Sequence, residues 1–126
     1  MDALKSLGGF AHWLLRLSLA ATFGYHGVLK VTDSAAMGEM MGVPGIVVMM
    51  LGVAEIAGAA LILYGGVGPE WATQVAGLIF SVVMVGAIAM VHAANGFNSI
   101  GQMGMEFQLL ILATALYFAT KGNDAN

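Results

Sequence analysis

The stretch "FGYHGVLKVTD", residues 23–33, closes a long apolar run with His26 and, one helical turn later, Lys30, while His12 and Arg16 lie further back in the same run. Ionisable groups in so apolar a segment are costly and face a partner, a cavity or the interior of a helix bundle. Their angular positions test this. At about 100° per residue, with Arg16 as zero, His12 and Lys30 fall near −40°, Phe23 near −20° and His26 near −80°. The four groups share one stripe, so the segment has an inward face. Further on, Gln74, Ser81 and His92 fall within about 20° of one another, and Glu106, Ala113 and Tyr117 within about 40°. Glu55 is the single acid of "GVAEIAGAA", set between Gly52 and Gly58, and small residues there allow a neighbouring helix to come close.

These groups need elements to hold them, and composition says which. The chain has 126 residues, 60% hydrophobic and 9% charged, with a mean hydropathy of +0.89. That is too apolar for a soluble domain of this size to cover with polar surface. Four stretches of roughly 20 apolar residues, enough to cross a bilayer as helices, are read at 9–31, 45–66, 70–93 and 103–120. The breaks between them carry Asp33, Glu39 and Pro44, then Gly65, Gly66, Gly68 and Pro69, then "HAANGFNSIGQ". Linkers this short imply one domain over residues 1–126 and an all-α fold, an integral membrane up-down-up-down four-helix bundle. A soluble four-helix core would need a polar face, which 45–63 and 72–91 lack. The first run is too long for a signal-peptide core, contains Arg16 and has no convincing cleavage site, so it is expected to be retained.

Four Lys and Arg against seven Asp and Glu give a net charge of −3, which leaves no basic surface for nucleic acid. The absence of cysteine excludes thiolate metal sites, iron–sulfur clusters and covalent haem. Lys5 and Lys121 lie on the side of the termini, so the positive-inside rule places both termini in the cytoplasm.

Topology gathers His26, Lys30, His92, Asn95, Gln102 and Glu106 at the opposite, outer face, a polar cluster built from three helices. Arg16 lies roughly 22 Å below that end and Glu55 roughly 15 Å deep, at 1.5 Å per residue. A long arginine side chain closes most of the difference, so an Arg16–Glu55 buried ion pair is expected. Such a pair fixes helix register, or serves a proton or substrate path. For His26, His92 and Glu106 one reading is an interfacial set in which Glu106 caps the last helix. The other is a ligand site. His26 and His92 could hold a b-type haem or a metal, but both sit at span ends that would shield a haem poorly, and no metal site is expected. A quinone suits them better, its head group on His26, Lys30, His92 and Glu106. Met37, Met40, Met41, Met103 and Met105 also fall on the outer side, where thioethers could take Cu(I), although packing explains them better. No hydrolase motif is present.

The arginine and aromatic followed by "GYHGVLK", then "GVAEIAGAALIL", a third span ending in histidine and a fourth opening with glutamate resemble the DoxX family of small membrane proteins over nearly the whole chain. The resemblance implies a four-helix protein of the bacterial cell inner membrane, and it singles out Arg16, Gly27, Lys30, Glu55, Gly58, His92 and Glu106. The family's namesake is associated with thiosulfate:quinone oxidoreductase, and relatives are linked to redox homeostasis or are accessory subunits. Two functions are therefore expected: a quinone-linked redox subunit, or a non-catalytic accessory subunit docking on a larger membrane complex, with other membrane protein subunits or further copies of itself as partners. A small transporter would show an inverted repeat, and spans 1–2 do not visibly repeat in 3–4.

Overall fold

Prolines and glycines set the helix limits. The computed structural model describes residues 1–126 and is all-α, with helices α1 (Asp2–Ser6), α2 (Gly8–Thr32), α3 (Ser34–Met41), α4 (Gly45–Gly65), α5 (Glu70–Ala87) and α6 (Glu106–Lys121). Pro44 and Pro69, both with extended ψ, directly precede α4 and α5. Neither can continue an earlier helix, and each offers its carbonyl to the first turn of the next. A π-helical turn (Ile88–His92) and a 3₁₀ turn (Ala93–Asn95) prolong α5, and a 3₁₀ turn (Gly122–Ala125) follows α6.

Two segments expected to be simple breaks have structure of their own. Residues 34–41 form α3 because "SAAMGEMM" contains good helix formers up to Gly42. Gly42, at φ 71°, ends that helix in a Schellman motif, with the Val43 N–H on the Gly38 carbonyl and the Gly42 N–H on that of Glu39. Residues 96–105 fold into a compact loop closed by hydrogen bonds from the Met105 and Glu106 N–H groups to the carbonyls of Gly96 and Phe97. The last helix consequently begins at Glu106, not at 103.

Successive long helices run antiparallel. Arg16 near the start of α2 meets Ile62 near the end of α4 and Thr73 at the start of α5. At the other end, Lys30 meets Glu55. Helix α2 packs on α4, α4 on α5 and α5 on α6. The core joins Leu19 and Phe23 to Ile62, Phe80, Ala115 and Phe118, with the Phe23 and Phe80 rings stacked 4.0 Å apart. Only 23 of the 126 residues are buried, so most of the apolar surface of these helices faces outward.

The inward stripe of the first span is largely as its spacing indicates, with His12, Arg16, Leu19, Phe23 and Gly27 buried and Lys30 half-buried, whereas His26, at the edge of the stripe, is exposed. That of the last span is not. Ala113 and Tyr117 face outward and Ala115 and Phe118 face in, because Glu106, the residue on which the face was set, turns its carboxylate back to the preceding loop.

Arg16 is the tie between the helices at one end. Its side chain is completely buried, and its Nε donates to His12 Nδ1 at 3.0 Å. Its Nη1 donates to the Ile62 carbonyl at 2.7 Å and to Thr73 Oγ1 at 3.0 Å. Nη2 donates to Asn123 Oδ1 at 3.4 Å and to Asn126 Oδ1 at 2.6 Å. The guanidinium also lies 4.8 Å from the centre of the Phe118 ring, a cation–π contact. The expected Arg16–Glu55 ion pair does not form: the arginine turns toward the chain ends, away from Glu55, and uses every donor on neutral acceptors. Replacing it with alanine strips a donor from several acceptors at once. Arg16→Ala should cost about 3 kcal/mol or more, read as a lowered thermal midpoint in detergent. Arg16→Lys, with three donors in place of a five-donor fork, should recover only part of it.

Candidate functional site

At the other end the helices come together on glycines. A Cβ on Gly27 would lie 2.8 Å from the Gly52 carbonyl oxygen, and one on Gly52 would lie 2.7 Å from that of Gly27. This mutual approach brings α2 against α4 one turn before Lys30, and the Lys30 Nζ consequently reaches both oxygens of Glu55 at 3.0 Å. Glu55 is 1% exposed and its partner is Lys30, not Arg16. The ammonium carries three N–H donors and spends two on Glu55. Gly58, one turn on from Glu55, leaves room for the Phe80 ring, since a Cβ there would lie 2.6 Å from it.

These side chains border a cavity of about 140 Å³ between α2, α4, α5 and α6. Thr22, Phe23, His26 and Lys30 line it from α2 and Glu55 from α4. Met84, Ala87 and His92 line it from α5 and its extension, and Phe107, Gln108 and Ile111 from α6. His92 reaches the cavity because of the π-helical turn. In a regular helix the residue four places after Ala87, Val91, would follow it on the inner face. The wider turn gives that place to His92, five residues on.

A strained backbone orients His92. Met103 sits at φ 52°, in the left-handed region that non-glycine residues rarely adopt. Its carbonyl oxygen lies 2.8 Å from His92 Nδ1 and 3.3 Å from Asn95 Nδ2. A carbonyl only accepts, so Nδ1 carries the hydrogen and, in the neutral ring, Nε2 is the free acceptor.

Of the residues expected at the ligand site, His26, Lys30 and His92 line one cavity with Glu55, whereas Glu106 stands outside it. Its Oε1 accepts from the Ser99 N–H at 2.8 Å, which fastens the loop before α6. Gln102 is exposed in that loop and does not line the cavity. The polar group that α6 contributes is Gln108, whose Oε1 is buried without a hydrogen-bond partner. Gln108 lies two residues beyond Glu106, on a face that the outward turn of Glu106 hides from spacing arguments. A glutamine opening an otherwise apolar helix was the available signal.

The Lys30–Glu55 pair generates a stability test. Lys30→Met leaves a buried carboxylate alone, which should cost about 3–5 kcal/mol, and adding Glu55→Leu should restore most of it. Thermal unfolding of the single and double variants in detergent reads the difference.

Known proteins can now be set beside this geometry. The family model described as DoxX-like matches residues 14–116, which span every cavity-lining residue. A Bacillus subtilis (strain 168) protein named "Putative oxidoreductase CatD" is 27% identical over 113 residues, covering 87% of this chain and 78% of its own. No solved structure matches the chain. With the family model covering most of the sequence, the chain belongs to the DoxX-like family, whose members are membrane-associated.

Proposed function

We propose that this chain is an integral membrane four-helix bundle of a quinone-linked redox system and that its polar cavity receives the head group of a quinone or a similar lipid-soluble ligand. The membrane part rests on what the helices expose. Gly45–Gly65 and Glu70–Asn95 have stretches of mean hydropathy 2.5 and 2.3 and bury only 28% of them. A core helix of a soluble protein would bury most of such a stretch, and apolar surface on this scale is compatible with lipid, not water. Helix α2 is 25 residues long and buries His12 and Arg16 of its ionisable stripe. Helix α6 has 16 residues, about 24 Å at 1.5 Å per residue, somewhat short of the roughly 30 Å hydrocarbon layer. The family resemblance favours the bacterial inner membrane, and Lys5 and Lys121 favour cytoplasmic termini. The redox part is supported by the name of the Bacillus subtilis relative.

The observation that carries the ligand reading is that Gln108, which lines the cavity, has a buried side-chain oxygen without a hydrogen-bond partner. A buried amide oxygen without a donor costs about 1–3 kcal/mol, and a ligand hydroxyl supplies the donor. Around it stand the third N–H of Lys30, which suits a carbonyl, and His92 Nε2, which suits a hydroxyl. A quinone in its two oxidation states presents carbonyls and hydroxyls on a flat apolar ring, and Phe23 and Phe107 offer aromatic surface to that ring.

Purification in mild detergent with native lipids, followed by quinone extraction and mass spectrometry, tests this. Bound quinone should be recovered from the wild type. In Gln108→Leu, which removes the orphaned oxygen and adds none, it should fall about tenfold, one hydrogen bond's worth, with the thermal midpoint unchanged or raised. A cavity that holds no quinone, in a protein that co-purifies with a larger membrane subunit, would overturn the ligand reading in favour of the accessory subunit.

A further inference from the structure

A second cavity adjoins the first, and the same residues form the wall between them. It has a volume of about 370 Å³ and lies among α3, α4 and α5. Lys30, Glu55, Met84 and Ala87 line both spaces, so the Lys30–Glu55 ion pair marks the junction. Beyond the pair the second cavity is apolar, with Met37 and Met41 of α3 facing Val83 and Met90 of α5 and its extension. Resting on the reading of the polar cavity given above, we infer that this apolar compartment takes the hydrocarbon tail of the ligand whose head group occupies the polar one.

Size and lining both favour that occupant. Pockets for small organic ligands run from roughly 300 to 1,000 Å³. The polar cavity alone falls below that range and the apolar one lies within it, so a ligand with its head in the first finds the larger space for the rest of itself next door. The far wall is rich in methionine, whose unbranched thioether side chains adapt to irregular and flexible apolar shapes. A chain of repeating apolar units is such a shape. The polar groups stand only at the end that joins the head-group cavity, which fixes the direction in which an amphipathic molecule lies. On the other side, a smaller space of about 150 Å³ between α2 and α6 shares Thr22, Phe107 and Ile111 with the polar cavity. Its Ser18 and Thr114 hydroxyls are already bonded to carbonyls of their own helices. It is the competing route for a tail.

Gly86 makes the compartment testable. It lines the apolar cavity, and a Cβ built on it would meet nothing within 4 Å. Larger side chains there extend into open space on a helix that tolerates them better than glycine. The probe is a benzoquinone carrying a decyl tail with a photoreactive diazirine at its end, added to the full-length protein in lipid nanodiscs, with the same quinone head lacking a tail as competitor. Crosslinks are expected at Met37, Met41, Val83 or Met90. Gly86→Leu and Gly86→Phe should reduce them by about fivefold or more by filling the space, with binding of the tailless head unchanged within about twofold. Gly86→Ala should behave as wild type.

Crosslinks at Leu15 or Leu110 in the α2–α6 space would overturn the inference and leave the head-group reading standing. So would crosslinks in the compartment that are indifferent to Gly86→Leu and Gly86→Phe, since these belong to a passing lipid-phase probe. Labelling that the tailless head does not compete away, and that survives Gln108→Leu, would overturn both readings together.

Discussion

A cation buried in an apolar helix packing must find donors' worth of acceptors or an anion, and this chain buries two cations and treats them differently. Arg16 makes no ion pair with a carboxylate. Its five N–H groups end on a histidine nitrogen, a helix-end carbonyl, a threonine and two asparagines. These acceptors come from α2, α4, α5 and the segment after α6, so satisfying one side chain brings all four long helices to one point. Gly66 leaves the space that this requires, because a Cβ there would lie 2.6 Å from the Trp13 ring and 3.1 Å from Arg16 Cδ. With every donor used and the guanidinium capped by Phe118, the Arg16 side chain has no hydrogen-bonding capacity left for a ligand.

Lys30 receives an anion, and only part of its capacity is used. The ammonium reaches Glu55 because the Gly27–Gly52 approach sets α2 and α4 close together, and its third donor remains for something else. Gln108 across the cavity has an acceptor with no donor, and His92 has Nδ1 committed to Met103 and its other nitrogen free. Fully satisfied polar networks rigidify a fold, and a buried polar group left without a partner carries a cost that a further molecule would relieve. The two ends of the same helices therefore divide the labour. The left-handed Met103 and the π-helical turn, two local departures from regular backbone, both lie at the end with unspent hydrogen bonds, and both act on the same residue, His92.

Much of this was legible in the sequence, where periodicity was the carrier. The buried stripe of α2 follows from counting at about 100° per residue, and the glycines around Glu55 announced a close helix contact. What spacing could not supply was partner choice. Depth counted along the spans sets Glu55 nearer to Arg16 than to Lys30, but the residues at 123 and 126 fold back under α2 and take the arginine, and nothing local in "KGNDAN" says so. The inner face of α6 eludes spacing for a related reason: Glu106, which spacing sets in the outer polar cluster, fastens the preceding loop and hides Gln108. The π-helical turn has no signature in "IAMVH", so the route by which His92 reaches the cavity was invisible even though His92 itself was not. Helix α3 was missed because Asp33, Gly38 and Pro44 resemble a loop, while the stretch from Ser34 to Met41 is long enough for two turns.

The charge balance of the cavity narrows what it can hold. Lys30 and Glu55 face each other at 3.0 Å with their charges opposed, so with neutral histidines the lining carries no net charge. An anion entering would meet the Glu55 carboxylate beside the ammonium, and a cation would meet the reverse. Either would have to break a pair whose separation leaves a buried charge alone. A neutral molecule with hydrogen-bonding oxygens faces no such cost, since it takes the third ammonium donor and offers a hydroxyl to Gln108 while the pair stays intact. On the proposed reading the ion pair is thus a filter as well as a strut between α2 and α4: it would admit an uncharged, lipid-soluble molecule by its polar end and stand where that end gives way to an apolar one.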